Sequence, residues 1–516
     1  MPEVQVEGAA EADEAEAAGA GPTVAAVVLA AGKSTRMRSR TPKALHPVCG
    51  RPLLVHILQA LGAAGVTRRI VVVGHQADAV RAALDAHFGA GVIEYALQAE
   101  QRGTGHAVQM AEPLLSGHTG PVVVCPGDTP LLTAEVLTSL LDAHRARAHG
   151  NGNGNGNGNG NGNGNGNGDS SSSGSGGATL LTAVLPDAAA YGRVLRDPND
   201  GSVLGIVEAR DATPEQREVR EINTSVYAFD APALFTALRD LRPDNAQGEL
   251  YLTDTIGLLR AAGAPVGAVV SPDPDVVLGV NTRIELAEVA AKMRKRLLDA
   301  LMLSGVSVED PATTFVEADV EIGPDTVLLP FTRLTGKTVI GADCVIGPQA
   351  NISDSTLGDR VVARACFIDQ STVGDDCRIG PYAQLRPGSR LAAKVKIGNF
   401  VETKNAVLHE DVSAGHLTYL GDAEVGAHTN IGAGTITCNF DGYRKHRTTV
   451  GANAFVGTHT TLVAPVAVED GAFTAAGSVI THTVPTDALG IARQRQTNKE
   501  GWAAARRRSR EEGQGS

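Results

Sequence analysis

Two groups of residues in this chain have the types and spacing to do chemistry. The first is LAAGKSTRM, Leu29 to Met37, which follows the apolar run Val24–Val28 and precedes Pro42-Lys43. Ala30, Ala31 and Gly32 let backbone N–H groups approach an anion closely, and a helix starting there would add its dipole. Lys33, Arg36 and Lys43 supply positive charge for a polyphosphate. Taken alone, the stretch also reads as an ordinary strand-to-helix turn with solvated cations. No GxxxxGK[ST] string is present, which disfavours a P-loop NTPase. The second group lies between Asn399 and Gly442: Glu402, Lys404, His416, Tyr419, Asn430 and Asn439, with Arg386 upstream. A lone histidine in a coil is more often structural than catalytic. His416, however, stands beside Arg386, Lys404 and Tyr419, a trio competent to hold phosphate, and neutral imidazole suits a base near pH 7.

The elements that must position these groups differ between the two halves. From Val24 to about Gly279 apolar strand-like runs alternate with helical patterns, as at Ile70–Val73, Pro121–Cys125, Leu180–Leu185 and Ser225–Phe229. That alternation predicts a mostly parallel α/β sheet, whose ligands bind beyond the carboxyl ends of its strands. The loops after Leu29 and Cys125 would both lie there. After Asn281 the pattern Leu286, Val289, Met293, Leu297, Leu301 predicts a helix ending at Gly305. Roughly twenty helical residues span about 30 Å, enough to hold the halves apart.

Beyond it the period becomes six: Ile322, Leu328, Leu334, Ile340, Ile346, Ile352, then Val373, Ile379, Leu385, Leu391, Ile397. The pattern resumes at Val425, Ile431, Val450, Val456, Leu462 and Val468. Neither a helix nor an amphipathic strand has that period. A coil with flat faces, each burying one aliphatic residue, does: the hexapeptide parallel β-helix. Its lapse between Asn399 and Leu420 suggests an inserted loop carrying His416. Hexapeptide helices are typically acyltransferases, which need a base to deprotonate an amine or hydroxyl before it attacks a thioester.

Composition narrows the classes. The 516 residues have room for two or more domains. Part of the net charge of −12 sits in an Ala-rich leader holding Glu3, Glu7, Glu11, Asp13, Glu14 and Glu16. It lacks a cationic start and an apolar core, so it is no signal peptide, and its composition predicts disorder. No stretch is apolar enough to span a bilayer. The six cysteines lack CxxC spacing, which argues against a zinc site or a disulfide framework and for a reducing cytoplasm. The Arg506–Arg508 cluster with Arg510 lacks interleaved aromatics, so nucleic acid is not indicated. The Asn-Gly repeat from Asn151 to Gly168, with the Ser/Gly run to Gly177, has nothing to bury and reads as a flexible insert without chemistry.

Both halves resemble one family, the bacterial bifunctional N-acetylglucosamine-1-phosphate uridyltransferases and glucosamine-1-phosphate acetyltransferases. The likeness runs from about Val24 to Trp502. It rests on LAAGKSTRM, Pro42-Lys43, LQAEQRGTGHA (Leu97–Ala107), PGDTPL (Pro126–Leu131), YGRV (Tyr191–Val194), EINTS (Glu221–Ser225), GVNTR (Gly279–Arg283) and AGHLTYLGDAEVG (Ala414–Gly426). The resemblance implies a Rossmann-like nucleotide-diphospho-sugar transferase domain over 23–281 with the insert at 150–177. A linker helix over 282–304 and a left-handed β-helix acetyltransferase domain over 305–497 would follow, between a leader at 1–22 and a tail at 498–516.

It further implies that UTP and N-acetylglucosamine 1-phosphate are joined with release of pyrophosphate. Leu29, Ala30, Ala31, Gly32, Arg36 and Lys43 would hold the nucleotide phosphates, and Asp128 and Asn281 would hold Mg²⁺. Gln98, Gly103 and Thr104 would read uracil; Gly192, Glu208 and Asn223 the sugar. In the second half His416 would be the general base toward acetyl-CoA, oriented by Glu402. Arg386, Lys404, Tyr419 and Asn430 would hold glucosamine 1-phosphate, with Asn439 close to the reacting amine. Ala433, Asn439, Phe440, Thr458, Ala476 and Arg493 would line the coenzyme A groove. A homotrimer is implied, with acetylation preceding uridylyl transfer. The sequence departs from the family pattern at Ser34, Pro126, Phe440 and Thr458; Phe440 lacks a hydroxyl that could touch substrate. A nucleotidyltransferase with a non-catalytic β-helix is the alternative.

Overall fold

The computed structural model describes residues 23–32, 35–148 and 176–513. The leader, Lys33, Ser34 and nearly all of the Asn-Gly insert lie outside the described residues. The chain divides into two compact units at Met293/Arg294.

In the first unit the strands Val266–Val270, Ala178–Val184, Glu221–Asp230, Pro121–Pro126, Ala25–Ala30, Arg68–Val73 and Glu94–Leu97 lie side by side in that order. Ala25–Ala30 is parallel to both its neighbours, whereas Glu221–Asp230 runs antiparallel to both of its own. The sheet is therefore mixed, mostly parallel at its centre. Both faces are covered: Ala26 and Val28 enter one buried cluster, Ala25 and Val27 the other. Double coverage explains why these strands read as unbroken apolar runs rather than alternating ones.

In the second unit three sheets of 11, 10 and 9 short strands form the faces of a prism, with every pairing between successive coils parallel, the arrangement of a left-handed parallel β-helix. Inward residues stack in columns, such as Leu328, Ile346, Ala363, Ile379, Ile397 and Ala414, paired coil on coil. The helix Arg283–Leu303 precedes the first coil.

One expectation fails. There is no inserted loop between Asn399 and Leu420: Lys396–Asn399 pairs in register with Ser413–His416, and Glu402–Lys404 with Tyr419–Gly421. The aliphatic period lapses because smaller residues fill the inward positions. Thr403, Ala406 and Ala414 are fully buried, and the Thr403 hydroxyl is satisfied by Ser389 Oγ at 2.8 Å. The real insertion follows the strand Ile436–Cys438 and ends at Thr448–Val450. It is braced by an antiparallel bridge between Phe440 and Lys445.

Because the prism is held by its columns, a truncation inside one has a defined consequence. Leu385 is fully buried, so Leu385→Ala should lower the stability of the β-helix transition by about 2–5 kcal/mol. Denaturant unfolding followed in the far ultraviolet would check this.

Candidate active sites

The parallel strands Ala25–Ala30 and Pro121–Pro126 end together, and Gly127 N–H donates to the Leu29 carbonyl at 2.8 Å. Their loops open a cavity of about 380 Å³ lined by Leu29, Ala30, Ala31 and Gly32 on one side. Lys43, Gln98, Gly103, Thr104 and Asp128 of the expected set also line it, while Arg36 and Asn281 stand outside the lining and reach it through Lys43. Gly103 has φ +112°, and a Cβ there would fall 2.5 Å from the Leu250 carbonyl, so this cavity wall needs glycine. Gln98 is buried, its carboxamide N–H directed to Gly103 O at 3.1 Å and close to His106 Nδ1 at 3.1 Å.

Among the described residues no α-helix follows the small-residue turn directly. The described chain resumes with a single 3₁₀ turn, Thr35–Met37, and Arg38 adopts φ +47°. Positive charge at the cavity mouth therefore comes from side chains rather than from a helix dipole. Lys43 Nζ forms an ion pair with Asp128 and donates to Asn281 Oδ1 at 3.2 Å. Arg36 Nη2 donates to the same Asn281 oxygen at 3.0 Å. Two hard oxygens thus already converge on a cation, here an ammonium, as a small divalent ion requires. Among the described residues no group of three or more His, Cys, Asp or Glu could hold a metal. An ion at this point would complete its shell with phosphate and water.

Gly192, Glu208 and Asn223 form a second patch of the same unit. Asn223 N–H donates to Gly192 O at 2.8 Å, and a Cβ on Gly192 would sit 3.5 Å from Glu208 Oε2. None of the three lines the cavity itself, but Ser225 does, and its N–H donates to Asn223 Oδ1 at 3.2 Å. Ser225 adopts φ +60° at the bulge between Asn223 and Val226. Burial raises the Glu208 carboxyl above its ordinary value, opposed by the Thr253 hydroxyl and aided by Asp211 and Asp254. Sequence reasoning passed over Ser225 and Gln101, whose side-chain N–H donates to the Ala31 carbonyl. Both lie inside motifs already singled out, EINTS and LQAEQRGTGHA, which was the available signal.

In the second unit the candidate residues are spread over the edges of the prism. His416 ends the strand Ser413–His416 rather than sitting in a loop. Its carbonyl is tied by the Thr418 hydroxyl at 2.8 Å, and its ring is exposed. Glu402 does not orient that ring: its carboxylate accepts from Arg386 Nη1 at 2.7 Å. Among the described residues the His416 imidazole makes no hydrogen bond or ion pair. The reason is register, since Glu402 pairs with Tyr419 on the next face and Asn399 with His416.

Arg386, Lys404 and Tyr419 come from successive coils of one face. The Tyr419 ring folds over Gly421, where a Cβ would lie 2.3 Å from the phenol oxygen. Lys404 is pulled below the ordinary lysine value by the neighbouring Lys445 ammonium and then by Arg386. Two or three cations crowded at a surface form a natural place for a phosphate dianion. Lys445, in the unrecognised insertion, was missed. Beside it, Asp422 accepts from Asn405 at 2.7 Å and Asn439 at 2.5 Å. Burial alone would raise the Asp422 carboxyl, but these bonds and the Lys445 and Lys404 charges hold it below the usual range.

Ala433, Thr458 and Ala476 form a column on the edge that carries His416: Gly434 N–H donates to His416 O at 3.3 Å, His459 N–H to Ala433 O at 2.7 Å and Gly477 N–H to Thr458 O at 2.8 Å. Arg493 reaches the same column, with Cδ 3.8 Å from the position of a Gly477 Cβ. Asn439 and Phe440 are not in that column, and Asn430 starts a strand at the far end of its face.

A nucleotide-sized cavity at the ends of a mixed α/β sheet, joined to a hexapeptide prism, defines a two-part transferase. Residues 26–152 match the MobA-like NTP transferase domain, 310–401 the GMPPB C-terminal domain, and 447–482 the hexapeptide repeat of succinyl-transferase. A protein of an Exiguobacterium species, named bifunctional protein GlmU, is 46% identical over 477 residues, 92% of this chain and 98% of its own. Its namesakes from Brevibacillus brevis and Streptomyces avermitilis are each 45% identical, over 93% and 94% of this chain and 96% and 94% of their own. The chain belongs to the GlmU family of bifunctional proteins.

Proposed function

We propose that the two units carry out two consecutive transfers of one pathway. The chain is a glucosamine-1-phosphate N-acetyltransferase and an N-acetylglucosamine-1-phosphate uridyltransferase. The observation that carries the residue assignment is the convergence of Arg36, Lys43, Asp128 and Asn281 at the mouth of the cavity. In the first unit the sugar phosphate oxygen attacks the α-phosphorus of UTP and the bond to pyrophosphate breaks. Little covalent chemistry falls to the protein, which positions groups and neutralises charge. Arg36 and Lys43 hold the polyphosphate and balance charge on the leaving pyrophosphate. Asp128 and Asn281 would hold Mg²⁺, which when bound supplies further neutralisation of the phosphates. Gln98, Gly103 and Thr104 face the base, and Gly192, Glu208 and Asn223 the sugar.

In the second unit His416 takes a proton from the amine of glucosamine 1-phosphate as its nitrogen attacks the acetyl carbonyl, and the coenzyme A thiol leaves. Arg386, Lys404, Tyr419 and Asn430 dock the substrate, with Lys445 adding charge. Ala433, Thr458, Ala476 and Arg493 line the coenzyme groove. His416 and the coenzyme column share one edge of the prism, whereas Arg386, Lys404 and Lys445 lie on another. Edges that cannot meet within one copy can meet between copies, which supports a homotrimer with sites at its clefts. Exposed apolar side chains along an edge, with Tyr382 stacked on Phe400 at 5.4 Å and Leu417 beyond, support the same packing. Among the described residues no helix is long and apolar enough to cross a membrane, and all six cysteines are free, in keeping with a cytoplasmic enzyme.

The direct test supplies glucosamine 1-phosphate, acetyl-CoA, UTP and Mg²⁺ together and looks for UDP-N-acetylglucosamine. Release of free thiol without a nucleotide sugar, or the reverse, would overturn the pairing of the two units.

A further inference from the structure

We infer that Glu285 is a positioning residue for uridylyl transfer, holding the Asn281 side chain at the cavity mouth. The inference rests on the placement of Asn281 in the nucleotide site proposed above. Thr282 and Glu285 cap the helix Arg283–Leu303 reciprocally. Glu285 N–H donates to Thr282 Oγ1 at 3.2 Å, and Glu285 Oε2 accepts from Thr282 N–H at 2.7 Å and its hydroxyl at 3.1 Å. That much is an ordinary capping box, sufficient to account for a Glu at this position.

One further contact goes beyond the box. The same carboxylate oxygen accepts from the backbone N–H of Asn281 at 2.7 Å. Asn281 lies before the cap, outside the helix, and its side-chain oxygen is the one that meets Arg36 at 3.0 Å and Lys43 at 3.2 Å. On its other side, Val280 N–H donates to the backbone carbonyl of Asp128 at 2.9 Å. The segment that delivers Asn281 is therefore pinned at both ends, to the backbone of Asp128 and to the carboxylate of Glu285. Those two anchors set the spacing between the Asp128 carboxylate and the Asn281 carboxamide. A carboxylate at the N-terminus of a helix is itself held by the helix dipole, which makes it a firm anchor. Groups that orient metal or phosphate ligands in this way typically change affinity or activity by about 10–100-fold when lost.

The test compares full-length wild type with Asn281→Ala, Glu285→Gln and Glu285→Asp. Asp keeps an acid in the first helical turn, so the helix retains its dipole partner, but it is one methylene too short to reach the Asn281 N–H. Gln keeps both the length and a carbonyl acceptor. Binding of Mn²⁺ in the presence of UTP is followed by electron paramagnetic resonance, alongside the Mg²⁺ dependence of uridylyl transfer, acetyl transfer and the melting temperature. The expected result is that Glu285→Asp weakens Mn²⁺ binding by about 10–100-fold and raises the Mg²⁺ requirement, with acetyl transfer unchanged and melting lowered only modestly, by loss of the cap to Thr282. Glu285→Gln should stay close to wild type. Wild-type Mn²⁺ affinity in Glu285→Asp would overturn the inference, as would equal losses in melting and both activities, which would leave Glu285 a helix cap only. If Asn281→Ala itself leaves Mn²⁺ binding unchanged, the nucleotide-site assignment fails instead.

Discussion

His416→Ala is expected to lose acetyl transfer by about 10²–10⁴-fold, the usual contribution of a positioned general base. Uridylyl transfer from N-acetylglucosamine 1-phosphate supplied directly should continue at the wild-type rate. Two features of the structure sharpen this expectation. The imidazole is exposed and, among the described residues, has no partner that its removal would orphan, so folding should be unaffected. The strand that carries it is anchored through the His416 backbone carbonyl, which accepts from the Thr418 hydroxyl at 2.8 Å, a contact alanine preserves. Glu402→Gln offers a contrast, since Glu402 is bonded to Arg386 and not to the imidazole. It should disturb the KM for glucosamine 1-phosphate more than kcat, through a freed Arg386. Near-normal acetylation by a folded His416→Ala protein would mean that another group takes the proton.

The sequence announced the prism through its period because each inward position repeats in register from coil to coil. It misled where a column is filled by Thr403, Ala406 and Ala414, whose small volumes fit the interior yet break an aliphatic pattern. It also hid the true insertion at Asn439–Arg447, since an exposed turn rich in Asp, Arg and Lys resembles the corners of any coil. Lys445 was lost with it. In the first unit the strand runs were legible because both faces of the sheet are buried, so apolarity alone marks them. Residue types at the cavity mouth were legible as phosphate chemistry. The meeting of Lys43 with Asp128 and Asn281 was not, because those partners lie far apart in the chain and only the folded sheet brings them together; only resemblance to a family suggested it. The helix dipole expected after Gly32 fails for a local reason, a single 3₁₀ turn followed by Arg38 at positive φ.

Asp128→Ala should carry the largest effect on the other activity, a loss on the order of 10²–10³ in uridylyl-transfer kcat, as removal of one preorganised electrostatic contact to a reacting phosphate implies. Asp128 does two things at once. It pairs with Lys43, and it presents one of the two oxygens that converge on a cation. The two roles separate by substitution. Asp128→Asn keeps an oxygen but removes the charge. It should retain more activity than alanine while demanding more Mg²⁺ for half-maximal rate, since a neutral carbonyl binds a hard divalent cation less tightly than a carboxylate. If the carboxylate served only to restrain Lys43, the Mg²⁺ requirement would not move in either variant. Acetyl transfer should be untouched, because His416 and its neighbours belong to a unit with its own buried core. Equal collapse of both activities in a folded Asp128→Ala protein would mean that the two reactions share machinery, against the division of the chain into two independently built sites.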